Sequence, residues 1–406
     1  MHRGAGKTLI ILAGAFAVSA LPAQDLSNYT SFTVDGKTVQ FHGFVSEGFA
    51  YSNDNNYLTM DTSQGSFFTD GGVNVSTQLT DKFRVGAQVY DHNIGTMGKW
   101  HPQLDWALAD YRFKDWFGIR AGKVKTPLGL FNDTQDQSFL YTWALLPQSV
   151  YPVDLRSMTI AHVGADVYGA ISLRKGSLSY EGYAGTIPDD PYGGFTYGLE
   201  DLGVKMNGGI SGRTEGVDLR WNTPLDGLFF GASLALNQRD WKGRLKGFPV
   251  SYDTDLDRVT AYYGEYSKGR VRFDAEYRGT IRDAYLHFSP VPVPIVNNVD
   301  ETGWYVAGSW RFSKRFEVGS YYSDYEVSSY QNPQISKRFT GPGANYIHDP
   351  VLTAHFNLTS AWDLKVEGHF MQGIGSNMAH GFYASSNPQG LQPQTNLLVL
   401  RTGWNF

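Results

Sequence analysis

The sequence predicts an all-β chain: a transmembrane antiparallel β-barrel of about 16 strands, even in number, with an inward-folded third loop. Three observations predict it. Apolar and charged residues alternate with period two, short turns alternate with long polar loops, and aromatic residues collect at the ends of the alternating runs. Composition agrees. Aromatics are 15% and glycines number 46, while charged residues are 18%, below the roughly 25% of soluble domains. Mean hydropathy is −0.32, too polar for a bundle of membrane helices. Strands greasy on one face and wet on the other have this balance.

Residues 1–23 read as an address. Arg3 and Lys7 precede the short apolar run "TLIILAGAFAVSA" (8–20), and "LPAQD" offers cleavage after Ala23. That order is a secretory signal peptide, and the run is shorter than the roughly 20 residues of a membrane helix. The barrel is then 24–406, with 32 basic against 39 acidic side chains, net −7. No basic stripe points to nucleic acid. With no cysteine there is neither a disulfide framework nor thiolate chemistry.

The first strand begins near "QFHGFVSEGFAYS" (40–52). In "KFRVGAQVY" (82–90), Val85, Ala87 and Val89 oppose Arg84, Gln88 and Tyr90. "GVDLRWN" (216–222) repeats the pattern, and in "DLKVEGHF" (363–370) Leu364, Val366 and Phe370 oppose Lys365, Glu367 and His369. The clearest run is "RVRFDAEYRGTI" (270–281), where Val271, Phe273, Ala275 and Tyr277 oppose Arg270, Arg272, Asp274, Glu276 and Arg278. A face with five charges fits a watery lumen, not a dry core. Tight turns fall near 79–83, 113–117, 174–177, 223–228, 267–270, 312–316 and 359–363. Long loops fall near 53–66, 95–102, 126–157, 188–212, 240–255, 284–299, 329–346 and 377–394. This is the asymmetry of outer-membrane barrels. A soluble propeller or sandwich leaves it unexplained. It also leaves unexplained the strand-end aromatics Trp106, Trp116, Phe117, Trp221, Phe229, Phe230, Trp304, Trp310, Phe312, Trp404 and Phe406, which suit two interfacial belts.

Sixteen strands leave an aqueous channel. The loop at 126–157 has the apolar middle "FLYTWALLPQSVY", which needs something to pack on. Folding it onto the inner wall makes Lys123, Lys125, Asp133, Asp136, Asp154 and Arg156 the expected pore constriction. Arg84, Arg120, Arg220, Arg270, Arg272, Arg278, Arg311 and Lys365 fall on the expected lumen lining, with Asp218, Asp274, Glu276, Glu317 and Glu367. Bases lead in that set, which favours weak anion preference; the blander reading is a wall of mutually paired charges.

No catalytic chemistry is expected. The histidines are scattered and no G-x-S-x-G motif is present. His92 and His101, and the acids of "DTDLD" (253–257), read as polar loop residues and not as metal ligands, and no cofactor is expected. The tail "LLVLRTGWNF" (397–406) places Leu398, Leu400, Trp404 and Phe406 opposite Arg401, Gly403 and Asn405. It reads as the last strand, closing on "QFHGF" (40–44).

These features together resemble Gram-negative outer-membrane porins over nearly the whole mature chain. More narrowly, "FGIRAGKVKTPLGLFND" (117–133) is similar to the stretch entering the constriction loop of the porin O and P family, which includes phosphate- and polyphosphate-selective channels. The resemblance implies a homotrimer in outer-membrane lipid, and Phe406 is similar to the assembly signal read by the barrel-assembly machinery. The sequence departs from the phosphate-selective pattern, because Asp133, Asp136 and Asp154 intrude and the mature chain is acidic. The expected function is a water-filled channel for passive diffusion of small hydrophilic solutes and ions, with anions slightly preferred. The rival is a barrel for adhesion or surface recognition with a narrow or closed lumen.

Overall fold

A hydrogen-bonded strand in lipid needs a partner on both edges, and the chain meets that demand by closing on itself. The computed structural model describes residues 30–330, 345–375 and 381–406; the expected signal peptide at 1–23 lies outside them. Sixteen strands form the wall. They are β1 Lys37–Ser52, β2 Ser66–Thr80, β3 Phe83–Ile94, β4 Gln103–Lys114, β5 Phe117–Lys125 and β6 Ala161–Ser172. Next come β7 Ser177–Ile187, β8 Ser211–Asn222, β9 Leu228–Leu245, β10 Phe248–Lys268 and β11 Val271–Phe288. The last are β12 Val299–Ser313, β13 Phe316–Tyr330, β14 Tyr346–Asn357, β15 Trp362–Gly373 and β16 Gln394–Asn405.

Each wall strand pairs antiparallel with its neighbour, and β16 closes on β1 from Asn405↔Phe44 to Leu397↔Ser52. Phe406 finishes the seam: its N–H donates to the Gly43 carbonyl at 3.0 Å and its carbonyl accepts the Gly43 N–H at 3.1 Å. A Cβ at Gly43 would occupy the space of the Phe406 ring. All seven short turns join the strand pairs that the periodicity implied.

The alternation has its predicted sense. Val217, Leu219 and Trp221 are exposed on the outer face, whereas Asp218 and Arg220 are buried inside. Phe273 and Tyr277 are outside and Asp274 and Glu276 inside. Two assignments change. Arg270 lies in the exposed turn between β10 and β11 rather than on the lumen face, because the chain reverses there before the pleat begins. Phe229 is 2% exposed and faces inward beneath the Arg220 guanidinium, 4.9 Å from its ring centroid, so it is not a belt residue.

The long loops at 240–255 and 284–299 also change. β9 and β10 pair as far as Leu245↔Phe248 around a two-residue turn, Lys246–Gly247, with both φ values positive at 50° and 87°. That is the geometry of a tight hairpin turn, for which glycine is suited. Trp241 and Tyr252 stack across the pair at 5.6 Å. β11 continues alongside as far as Phe288, so much of both polar segments is sheet. The polar residues lie on the exposed face of the hairpin, while Trp241, Val250 and Tyr252 on its other face are buried with Leu199 of the fourth loop. "DTDLD" (253–257) therefore lies in β10, where Asp257 is buried between Arg239 at 2.9 Å and Arg282 at 3.4 Å. Short strands at Thr30–Val34, Val204–Met206 and Ile295–Val296 add to β1, β9 and β11. The fourth loop carries a helix, α1, Gly194–Asp201. Among the described residues no helix is long and apolar enough to cross a membrane.

Candidate functional site

The third loop occupies residues 126–160, between Lys125 at the end of β5 and Ala161 at the start of β6. It folds inward, as its apolar middle implies. Its base is pinned: the Thr126 N–H donates to the Ile160 carbonyl at 3.0 Å, and the Asn132 amide donates to the carbonyls of Thr126 and Thr159. The Thr126 hydroxyl meets His162 Nδ1 at 3.1 Å, and His162 Nε2 meets Asp166 at 2.7 Å. The order looks like a hydrolase triad, and His162 and Asp166 are both 0% exposed.

From that base the loop reaches wall strands on many sides. A loop without regular structure must satisfy its own N–H and C=O groups, and the wall charges do much of this. The Leu130 N–H donates to Glu276 at 3.2 Å, and Arg278 donates to the Val150 carbonyl at 2.6 Å. Lys365 Nζ donates to the carbonyls of Ser138 and Trp143. Two residues along the same face, Glu367 accepts the N–H groups of Ala144 and Leu145 at 2.9 and 2.8 Å. Arg401 donates to the Ala144 carbonyl at 2.8 Å, and Thr142 donates to Glu317 at 2.6 Å. Apolar packing follows the same path, with Phe131, Tyr141, Trp143 and Tyr151 buried against Phe229, Tyr263, Tyr305 and Tyr321. The wall is bare where the loop comes close: a Cβ at Gly319 would strike the Trp143 ring and one at Gly303 the Ser149 carbonyl.

The expected constriction residues separate into groups. Lys125 bridges Asp136 at 2.5 Å and Asp105 at 3.3 Å, and Arg156 binds Asp105 at 2.8 Å while lying 4.1 Å over the Tyr90 ring. Gln88 donates to both Asp105 and Asp136. Asp133 sits near this cluster; burial raises its pKa, with Arg220 and Lys125 pulling the other way. Lys123 is elsewhere. It pairs in register with Ala107 and the exposed Val163, on the outer face, and its ammonium donates to the Leu104 carbonyl. Asp154 is also apart: it accepts the Gly381 N–H at 3.1 Å and the Tyr383 hydroxyl at 2.7 Å, from the eighth loop.

The expected lining residues are mostly paired wall groups. Arg84 binds Asp110 at 3.5 Å, Arg120 binds Glu181 at 2.9 Å, and Arg272 binds Glu265 and Asp274, each at 3.0 Å. A narrow crevice remains between the loop and strands β2, β3 and β16, with Asp70, Tyr90, Tyr141, Gln148, Arg156 and Arg401 among its walls. Arg401 is ion-paired to Asp70 at 2.6 Å. Sequence reasoning missed Asp70 and Asp105. Asp105 is hidden by a register shift opposite Gln88–Val89, which breaks strict alternation in β4.

No family model matches the chain, and no curated protein matches it. Solved structures do. OmpT of Vibrio cholerae is 12% identical, with a TM-score of 0.53 over 93% of this chain and 100% of that one. The outer-membrane channel DcaP of Acinetobacter baumannii is 11% identical, also with a TM-score of 0.53, over 93% and 100%. An anion-selective porin from Comamonas acidovorans is 13% identical, with a TM-score of 0.53 over 91% and 100%. The chain has the porin fold, a closed sixteen-strand antiparallel β-barrel.

Proposed function

We propose that the protein is a narrow outer-membrane channel that passes small hydrophilic solutes and ions by diffusion, with the third loop as its constriction. One observation carries this reading: an inward loop held on charged wall residues, with an ion-lined crevice left at β2, β3 and β16. Lys125, Asp133, Asp136 and Arg156 belong to that constriction, joined by Asp70, Asp105 and Arg401. The bases there are each engaged by an acid, and Asp70, Asp105, Asp133 and Asp136 outnumber Lys125, Arg156 and Arg401. This supports weak preference for cations, the opposite of what counting bases along the sequence suggested. A trimer is part of the proposal; a trimer form of OmpT is among the similar folds. We assign no catalytic step and no cofactor. The narrower resemblance to phosphate-selective porins rests on residues 117–133 alone.

The test is a planar bilayer. Ohmic steps, smaller than those of an open sixteen-strand porin, with a cation-directed reversal potential in a salt gradient, are expected. A folded protein that never conducts would overturn the channel. The loop's reach across the lumen favours one second reading, a closed barrel for surface recognition, and a silent bilayer is its expected result.

A further inference from the structure

Asp154 was expected at the pore waist, yet it is 2% exposed and holds the eighth loop. One described segment of that loop, Gly381–Asn387, is keyed into three others. Phe382 and Tyr383 are each 0% exposed, unusual for loop residues. Phe382 lies 5.3 Å from the Tyr57 ring of the first loop, and the Leu58 N–H donates to the Gly381 carbonyl at 2.6 Å. Asp201, at the end of α1, accepts the N–H groups of Ala384 and Ser385 at 3.2 and 3.0 Å. The Tyr197 hydroxyl meets the Ser385 hydroxyl at 2.8 Å. The Asn387 side chain accepts the Asn56 N–H at 2.7 Å and donates to the Asn56 carbonyl at 3.1 Å. Among the described residues, Asp154 is the carboxylate that ties this surface assembly to the third loop, and its other oxygen is buried with no hydrogen-bond partner among them. Two residues on, within the same turn Val153–Met158, Arg156 grips Asp105 at the crevice.

We propose that Gly381–Asn387 is an extracellular lid latched to the third loop through Asp154, so that lid and constriction move as one unit. The latch is the pair of bonds from Gly381 and Tyr383 to one buried carboxylate. Releasing the lid frees the turn that carries Arg156 and widens the crevice. A surface ligand that lifts the lid would open the pore from outside. This rests on the channel reading above.

Tyr383→Phe removes one latch bond and leaves the ring in place, and Asp154→Ala removes both. Loss of one buried bond shifts a two-state latch by about three- to tenfold. Open probability in bilayers should rise by that factor in Tyr383→Phe and by more in Asp154→Ala. Heat-modifiable migration in a gel reports that the barrel has folded. Because the chain has no cysteine, Val153→Cys provides a second readout. A membrane-impermeant thiol reagent should label it faster in the Tyr383→Phe background than in its absence. Unchanged labelling and unchanged open probability in folded Tyr383→Phe overturn the latch. A protein that stays silent while labelling accelerates keeps the latch and sinks the channel reading.

Discussion

At the residue scale, the face on which a side chain sits decides its cost. Leu352 is 57% exposed at the middle of β14 on the outer face, whereas Trp116 is 58% exposed at a turn. Leu352→Arg should destabilise the barrel by about 2–4 kcal/mol and Trp116→Arg by about 0–1, because the penalty tracks depth in the bilayer. Urea titration of the folded band in lipid vesicles checks both; equal costs would refute the depth assignment. Lys125 and Lys123 provide a second contrast. Lys125→Glu places a third carboxylate beside Asp105 and Asp136 and should move the reversal potential further toward cations. Lys123→Glu, on the outer face, should leave it unchanged. Salt-gradient bilayer recordings separate the two, and equal shifts would put Lys123 back at the waist.

At the element scale, the third loop has no strand ladder of its own, so its backbone draws partners from the wall. Lys365 supplies the donor and Glu367 the acceptors from one strand face. Glu367→Ala leaves the Ala144 and Leu145 N–H groups, the Thr353 hydroxyl and His369 without their acceptor, at a cost of about 3–5 kcal/mol. Limited proteolysis should then cut within 138–146 in the folded variant; a loop that stays resistant would show that the apolar packing alone holds it. The β9–β10 hairpin is different. Replacing 241–252 with an Asn-Gly turn keeps the pairing from Leu228↔Tyr266 to Asn237↔Asp257, so the barrel should still form. Trp241 and Tyr252 pack in the same cluster as Leu199 of α1. Removing them should expose α1 to protease, and an α1 that stays protected would show that it stands without the hairpin.

At the scale of the whole molecule, the barrel trades a wet lumen for a filled one. Inward charges are taken up in ion pairs and loop contacts, so under the proposed channel reading their number is a poor guide to selectivity. Arg278 and Lys365 looked like pore lining and bond the loop's carbonyls. Conductance per channel should therefore fall well below that of an unobstructed barrel, and single-channel recording in symmetric salt measures it; a full-sized step would mean that the loop leaves the wall.

Much was legible in the chain alone. Period-two alternation fixes the two faces of runs such as 270–281 and 363–370, because lipid and water sit on opposite sides of one sheet. The apolar middle of 126–157 foretold an inward loop, since a loop that greasy has no stable place in solvent. Closure at Phe406 followed from the impossibility of a free edge in a bilayer. What the periodicity could not supply is convergence. Strands polar on their exposed face looked like loops at 240–255, and a register shift concealed Asp105. Whether Asp154 meets the pore or Tyr383 depends on a partner 229 positions away in the chain. Those pairings belong to tertiary structure, because the energy of a charge is set by the partner that reaches it and not by its place along the strand.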